Sequence, residues 1–298
     1  MCVTSGQVFR WTKKDDGSWF GVDGDYWYDV SLPVRVSETE STVLIRSNGT
    51  LQDFEQLFRL DWNAEEIAAG VLEVAPELAY CVDSIQGLRL MCPSCSTESF
   101  FSFLCTPNNN LTRIVPMARH LATYGPVIRE VNGTQIHRFP DVAAIAMIPE
   151  GELRAKAFGY RAATIPSVAH QVLQRGDGWI ESLKNEPYER VHSELCQFKG
   201  IGPKLADCIA LFALHHTEAI PIDTHIWQAY SRLYRPDLAD KAITDMRYRE
   251  AATFLRAKFG RLGGWAQQYL FYDNMVRWRE RARIPNLSTP SVKKSLPL

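Results

Sequence analysis

Apolar and polar positions alternate along the first fifty residues, and from there on they recur at helical spacing. Gly6–Trp11, Tyr26–Val30, Val34–Val36 and Thr42–Ile45 are rich in aromatic and β-branched residues. Between them stand the turn formers Asp15-Asp16-Gly17, Asp23-Gly24-Asp25 and Ser47-Asn48-Gly49, so an antiparallel sheet is expected. From about residue 51 the pattern predicts helices over Gln52–Leu60, Ala64–Val74, Pro76–Leu88, Glu98–Cys105 and Leu111–Tyr124. Strands followed by helices imply an α+β architecture. The expected division is a sheet domain with flanking helices over 1–85, a helical domain over 86–285 and a loose tail over 286–298.

The segment richest in chemistry is 188–227. Tyr188, Val191, Leu195 and Phe198 share one helical face, as do Leu205, Cys208, Ile209 and Phe212, and between the two helices lies Lys199-Gly200-Ile201-Gly202-Pro203. Gly200 and Gly202 permit a tight turn and a close approach of backbone amides to a ligand. A turn that opens onto a helix N-terminus suits a phosphate. The pattern therefore reads as a helix-hairpin-helix element that grips a nucleic-acid backbone. Lys204 follows at once, where the helix dipole disfavours a cation. It is either a solvated surface lysine or a partly desolvated amine with a lowered pKa, as a nucleophile requires. Cys208, four residues on, shares its helical face. Asp223 precedes the helix beginning at Thr224; it is an ordinary N-cap, or a carboxylate held toward whatever the hairpin grips.

Composition changes this picture in two ways. The 298 residues carry a formal charge of only −1, yet residues 1–110 hold 7 Lys/Arg against 16 Asp/Glu and residues 111–298 hold 26 against 18, so the chain can meet phosphate with one part only. Seven cysteines suggest a reducing interior, with no disulfide framework. No apolar run is long enough for a membrane span, and the start lacks the basic and apolar stretches of a signal peptide. Cys92 and Cys95 lack the second ligand pair of a structural zinc site. Arg277–Arg283 reads as a solvated basic face.

Gly200-Ile201-Gly202-Pro203-Lys204, Ala206-Asp207-Cys208 and Pro221-Ile222-Asp223-Thr224-His225 resemble the helix-hairpin-helix/Gly-Pro-Asp DNA glycosylases, and among these the 8-oxoguanine DNA glycosylases. Ser5-Gly6-Gln7 with Phe9-Arg10-Trp11, Asn108–Asn110 with Arg113, Gly159-Tyr160-Arg161 and Gly264-Trp265-Ala266-Gln267 with Phe271 recur in the family's order. Lys199 departs from the proline usual in that hairpin.

The resemblance implies a bifunctional glycosylase and apurinic-site lyase. Lys204 would attack C1′ and form a Schiff base, and Asp223 would steady the cationic sugar. Gly6 would offer its carbonyl to N7–H of 8-oxoguanine, Cys208 and Phe271 would sandwich the flipped base, and Gln267 would read its Watson–Crick edge. Asn108, Arg113 and Arg161 would hold the widowed cytosine with Tyr160 as a wedge, and His225 would touch a phosphate. Carbonyls of Cys196, Phe198 and Ile201 would ligate a cation in the hairpin. No cofactor is required and no iron–sulfur cluster is expected, since no four-cysteine run follows the segment. The expected partner of an intracellular monomer, in nucleoid or nucleus, is duplex DNA carrying the lesion. A glycosylase for other oxidised or alkylated bases, and a non-catalytic hairpin module, stand as alternatives.

Overall fold

The computed structural model describes residues 1–37, 41–131 and 133–283, with side chains through 276. The expected tail, 286–298, and the side chains of the basic run from Arg277 lie outside that range. The first part carries β1 (Trp11–Lys13), β2 (Trp19–Asp23), β3 (Tyr26–Val30), β4 (Val34–Arg35), β5 (Ser41–Thr42) and β6 (Ile45–Ser47). Helices α1 (Leu51–Leu57), α2 (Ala64–Val74), α3 (Ala79–Val82), α4 (Ser96–Phe103) and α5 (Leu111–Ala122) follow, then a hairpin of β7 (Val127–Val131) and β8 (Thr134–His137). The remainder is helical: α6 (Val142–Ala146), α7 (Glu150–Ala155), α8 (Arg161–Gln174), α9 (Trp179–Ser182), α10 (Tyr188–Cys196), α11 (Pro203–Phe212), α12 (Thr224–Tyr234), α13 (Asp245–Phe259) and α14 (Gly263–Arg283). The expected α+β layout, an N-terminal antiparallel sheet and then mostly helices, is what the chain adopts.

The main sheet runs β1-β2-β3-β6, all antiparallel, with Trp11 opposite Gly21 and Gly21 opposite Tyr28. Trp11, Tyr28, Phe54, Leu57 and Met91 form its core against α1. A buried bidentate pair ties this part to the helices: Arg10 Nε and Nη2 donate to Glu98 at 2.8 and 2.9 Å, and Arg10 Nη1 donates to the His137 carbonyl at 2.6 Å. Asp23 accepts the Ser94 amide at 3.0 Å. The second core cluster runs without interruption from Val71 and Leu78 to Leu255 and Leu270, so apolar packing crosses residue 86.

Several element boundaries differ from expectation. Gly6–Arg10 is not a strand. Gln7 donates through Nε2 to the Arg89 carbonyl at 2.9 Å and accepts the Met91 amide at 2.8 Å, so its side chain does what a strand partner would do. The helix expected over Pro76–Leu88 is a 3-10 turn, Pro76–Leu78, followed only by α3. Thr42–Ile45 divides between β5 and β6. Helix α1 stops at Leu57 because Arg59 turns to a left-handed φ of 49°.

Candidate active site

Helices α10 and α11 meet at the glycine hairpin as expected. Gly200 takes φ 100°, and a Cβ there would lie 2.8 Å from Thr164 Cγ2, so the turn tolerates no side chain on both counts. The Phe198 carbonyl accepts the Ile201 amide at 3.0 Å and closes the loop. Gly202 caps α11 without a side chain and Pro203 opens it, leaving the amides of Lys204 and Leu205 free for an anion.

A cleft of about 960 Å³ opens beside this hairpin. Its wall includes Gly6, Asn108, Gly200, Gly202, Lys204, Cys208, Asp223, His225, Gln267 and Phe271, which the sequence scatters over most of the chain. Asp223 does serve as the cap of α12, accepting the Ile226 amide at 2.9 Å, and that bond holds its carboxylate at the cleft. Cap and functional carboxylate are one residue. The ring of His225 meets Phe271 edge-on at 5.3 Å, and Asn274 Nδ2 lies 3.2 Å from His225 Nδ1.

The lowered pKa expected for Lys204 is a correction. Cys208 beside it, and then the Asp223 carboxylate, hold the amine above its ordinary pKa, outweighing the downward pull of burial. Burial in turn pushes the Cys208 thiol up to about 11. The resting side chain is therefore an ammonium, half-buried in the cleft wall, and it must lose a proton before it can attack carbon.

Arg113, Tyr160 and Arg161 form a cluster around the carbonyls of Pro107 and Ala157, next to Asn108. Tyr160 is 53% exposed, a position suited to a wedge, and its hydroxyl donates to Pro107 O at 3.0 Å. Arg161 is only 4% exposed. Its Nη2 donates to the same carbonyl and its guanidinium lies 4.6 Å from the Tyr160 ring. It braces the Asn108 loop and does not face solvent. Arg113 is exposed, with one bond from Nη2 to Ala157 O at 3.2 Å. Asn110 caps α5 through the Arg113 amide, and Asn109 donates to Cys105 O at 3.0 Å, so two of the three asparagines are structural.

Reading the sequence missed two residues of the wall and one buried carboxyl. Tyr248 and Gln268 line the cleft. Asp207, one turn after Lys204, is fully buried and accepts hydrogen bonds from the hydroxyls of Tyr188 and Tyr248. A carboxylate in the middle of an apolar helix was the available signal. Cys92 Sγ lies 3.5 Å from His215 Nδ1, while Cys95 caps α4 through the Glu98 amide. No group of three metal-ligating side chains occurs among the described residues. No helix among them is long and apolar enough to cross a membrane.

With this geometry in place, comparison with known proteins is decisive. The N-glycosylase/DNA lyase OGG1 of Arabidopsis thaliana is 31% identical over 279 residues, 91% of this chain and 75% of the plant protein. The chain belongs to the OGG1 family of N-glycosylase/DNA lyases. It is thus a bifunctional DNA glycosylase and lyase of base-excision repair. Two solved structures share the OGG1 fold across almost the whole chain. MBOgg1 bound to a low-affinity DNA ligand gives a TM-score of 0.79 at 28% identity, covering 93% of this chain and 91% of that one. The Clostridium acetobutylicum 8-oxoguanine glycosylase/lyase, bound to duplex DNA with cytosine opposite 8-oxoguanine, gives 0.78 at 28% identity, with 92% and 90% covered. No protein-family model matches the chain.

Proposed function

We propose that this enzyme excises 8-oxoguanine opposite cytosine from duplex DNA and then cleaves the strand at the same site. The observation that carries the reading is the convergence of Lys204, Cys208, Asp223, Gly6, Gln267 and Phe271 on one cleft. The Clostridium structure, solved on such a duplex, supports the choice of lesion and opposite base.

The chemistry follows from the groups present. Extruding the nucleotide costs a few kcal/mol of unstacking, which an exposed Tyr160 beside the Asn108 loop offsets by filling the vacated place. Guanine N7 is an acceptor, whereas in 8-oxoguanine it bears hydrogen. A backbone carbonyl at Gly6 therefore bonds the lesion and opposes guanine, a difference of about 1–3 kcal/mol. Lys204, once neutral, attacks C1′ as the bond to the base breaks and the base leaves with the electron pair. Asp223 stabilises the positive charge that builds on the sugar. Ring opening at O4′ then gives a Schiff base between Nζ and C1′. Loss of a proton from C2′ expels the 3′ phosphate by β-elimination. His225, on the cleft wall, contacts a flanking phosphate. Arg113 and Asn108 meet the opposite cytosine, joined by Arg161 if DNA draws its guanidinium from Pro107.

A cation in the hairpin is part of this proposal. Backbone carbonyls of Cys196, Phe198 and Ile201 supply hard oxygens of the kind such ions take, and Phe198 O keeps a lone pair beyond the one given to Ile201. An ion there would add positive charge facing a phosphate. The test of function is single-turnover base release and nicking on duplexes carrying 8-oxoguanine opposite each of the four bases, beside duplexes with alkylated purines. Release strongest for 8-oxoguanine opposite cytosine is expected; release confined to alkylated bases would overturn the assignment.

A further inference from the structure

Gln267 does not stand alone in the cleft. Gln268, next to it in α14, lines the same wall, and the two are 5% and 2% exposed. Gln268 Nε2 donates to Gln267 Oε1 at 2.7 Å. Its own Oε1 is buried with no hydrogen-bond partner. A carboxamide is nearly symmetric in shape but not in hydrogen bonding, since turning it over exchanges a carbonyl for an NH2. If either glutamine turned over alone, two oxygens or two NH2 groups would face each other. If both turned, the bond would return with Gln267 donating, and the NH2 of Gln268 would occupy the place that offers no partner. Buried N–H groups without acceptors are rarer than under-satisfied carbonyls. The observed order is therefore the one the surroundings favour.

That order has a consequence for recognition. Gln267 Oε1 has a second lone pair, so the side chain still presents one acceptor and one donor, side by side, in fixed sequence. A guanine-type edge offers N1–H beside the O6 acceptor. An adenine-type edge reverses this, with an N1 acceptor beside N6–H. A glutamine free to turn over could serve either edge; a clamped one serves one.

We propose that Gln268 is a positioning residue that locks the Gln267 amide in the orientation matching a guanine-type edge, and so excludes 8-oxoadenine. The proposal rests on the reading of the cleft as an 8-oxoguanine site. Both 8-oxopurines carry N7–H, so contrast between them isolates the Watson–Crick edge.

The test measures single-turnover release of 8-oxoguanine and of 8-oxoadenine, each opposite cytosine. The proteins are wild type, Gln268→Met, Gln267→Ala and the double variant. In Gln268→Met the ratio of the two rates should fall by about tenfold, the order of one misplaced base-edge contact. In the Gln267→Ala background the same change should move the ratio by less than about twofold, because the clamp acts through Gln267. Each ratio is internal to one preparation, so partial misfolding lowers both rates and cancels. An active wild type with a ratio unmoved by Gln268→Met, or moved equally without Gln267, overturns the clamp alone. A wild type that releases no 8-oxoguanine overturns the reading of the site, and the clamp with it.

Discussion

Replacing Asp207 with alanine should loosen the helix that carries Lys204. The Asp207 carboxyl is completely buried and accepts from Tyr188 of α10 and Tyr248 of α13. Each tyrosine is held in turn: Arg256 Nη1 donates to the Tyr188 hydroxyl at 3.0 Å, and the Ile222 amide donates to the Tyr248 hydroxyl at 3.4 Å. One carboxyl thus joins α10, α11, α13 and the segment leading to Asp223. Alanine leaves two buried hydroxyl protons without an acceptor, at about 1–3 kcal/mol each. The total is roughly 2–6 kcal/mol, a large part of the 5–15 kcal/mol that holds an ordinary domain together. Asparagine has the same shape but keeps one acceptor oxygen in place of two, so it should cost about half as much, roughly 1–3 kcal/mol. Urea unfolding followed by tryptophan fluorescence measures both variants, and the midpoint should fall at constant slope. Because Tyr248 lines the cleft, Asp207→Ala should also slow single-turnover excision beyond what lost folded protein explains. An alanine variant within about 1 kcal/mol of wild type would refute the role given to this network.

The raised pKa of Lys204 predicts that single-turnover excision climbs about tenfold per pH unit between roughly pH 6 and 9, as the neutral amine fraction grows. A flat wild-type profile would contradict it. Asp23 is raised to about 7 by burial and by Glu98, so the folded state holds a proton there that the unfolded chain loses near pH 4. Stability contributed by that proton is present below about pH 4 and lost as pH rises through about 7, by up to about 4 kcal/mol. Denaturation at several pH values should show Asp23→Asn gaining on wild type over this window; a constant difference would contradict it. Arg113→Ala should leave thermal stability within about 0.5 kcal/mol while weakening the preference for cytosine, whereas Arg161→Ala should cost about 1–3 kcal/mol because its guanidinium is buried on Pro107 O. Melting curves together with opposite-base assays separate the two arginines, and equal melting temperatures would count against the distinction.

The parts of this protein that were legible in the sequence are those whose cause is local. Helical spacing on both sides of Gly200 and Gly202 was enough to place the hairpin, and the Asp223 cap followed from its position before Thr224. Strand β2 was not among the expected strands, since Gly21 interrupts its apolar pattern. In the fold that glycine is required, because a Cβ would lie 2.1 Å from the Trp11 ring that crosses it. Gly6–Arg10 misled in the opposite sense: its β-rich composition serves a segment that Gln7, not a partner strand, fastens to 89–91. The sign of the Lys204 shift depended on how much acidic influence Cys208 and Asp223 exert against burial, a balance no spacing reveals. Tyr248 and Gln268 gain their roles from contacts made across the fold or from the direction of one amide. The buried Arg161 could not be told from an exposed one, since only the carbonyl of Pro107, more than fifty residues earlier, decides it.

The central claim is that one amine, Lys204, bonds to the sugar of a base drawn into this cleft, and borohydride reduction tests it directly. Incubated with duplex DNA carrying 8-oxoguanine opposite cytosine, the native chain should yield a reduced covalent adduct whose peptide maps to Lys204, and Lys204→Gln should yield none. Undiminished adduct in Lys204→Gln, or no adduct with the native chain while the base is released, would contradict the account.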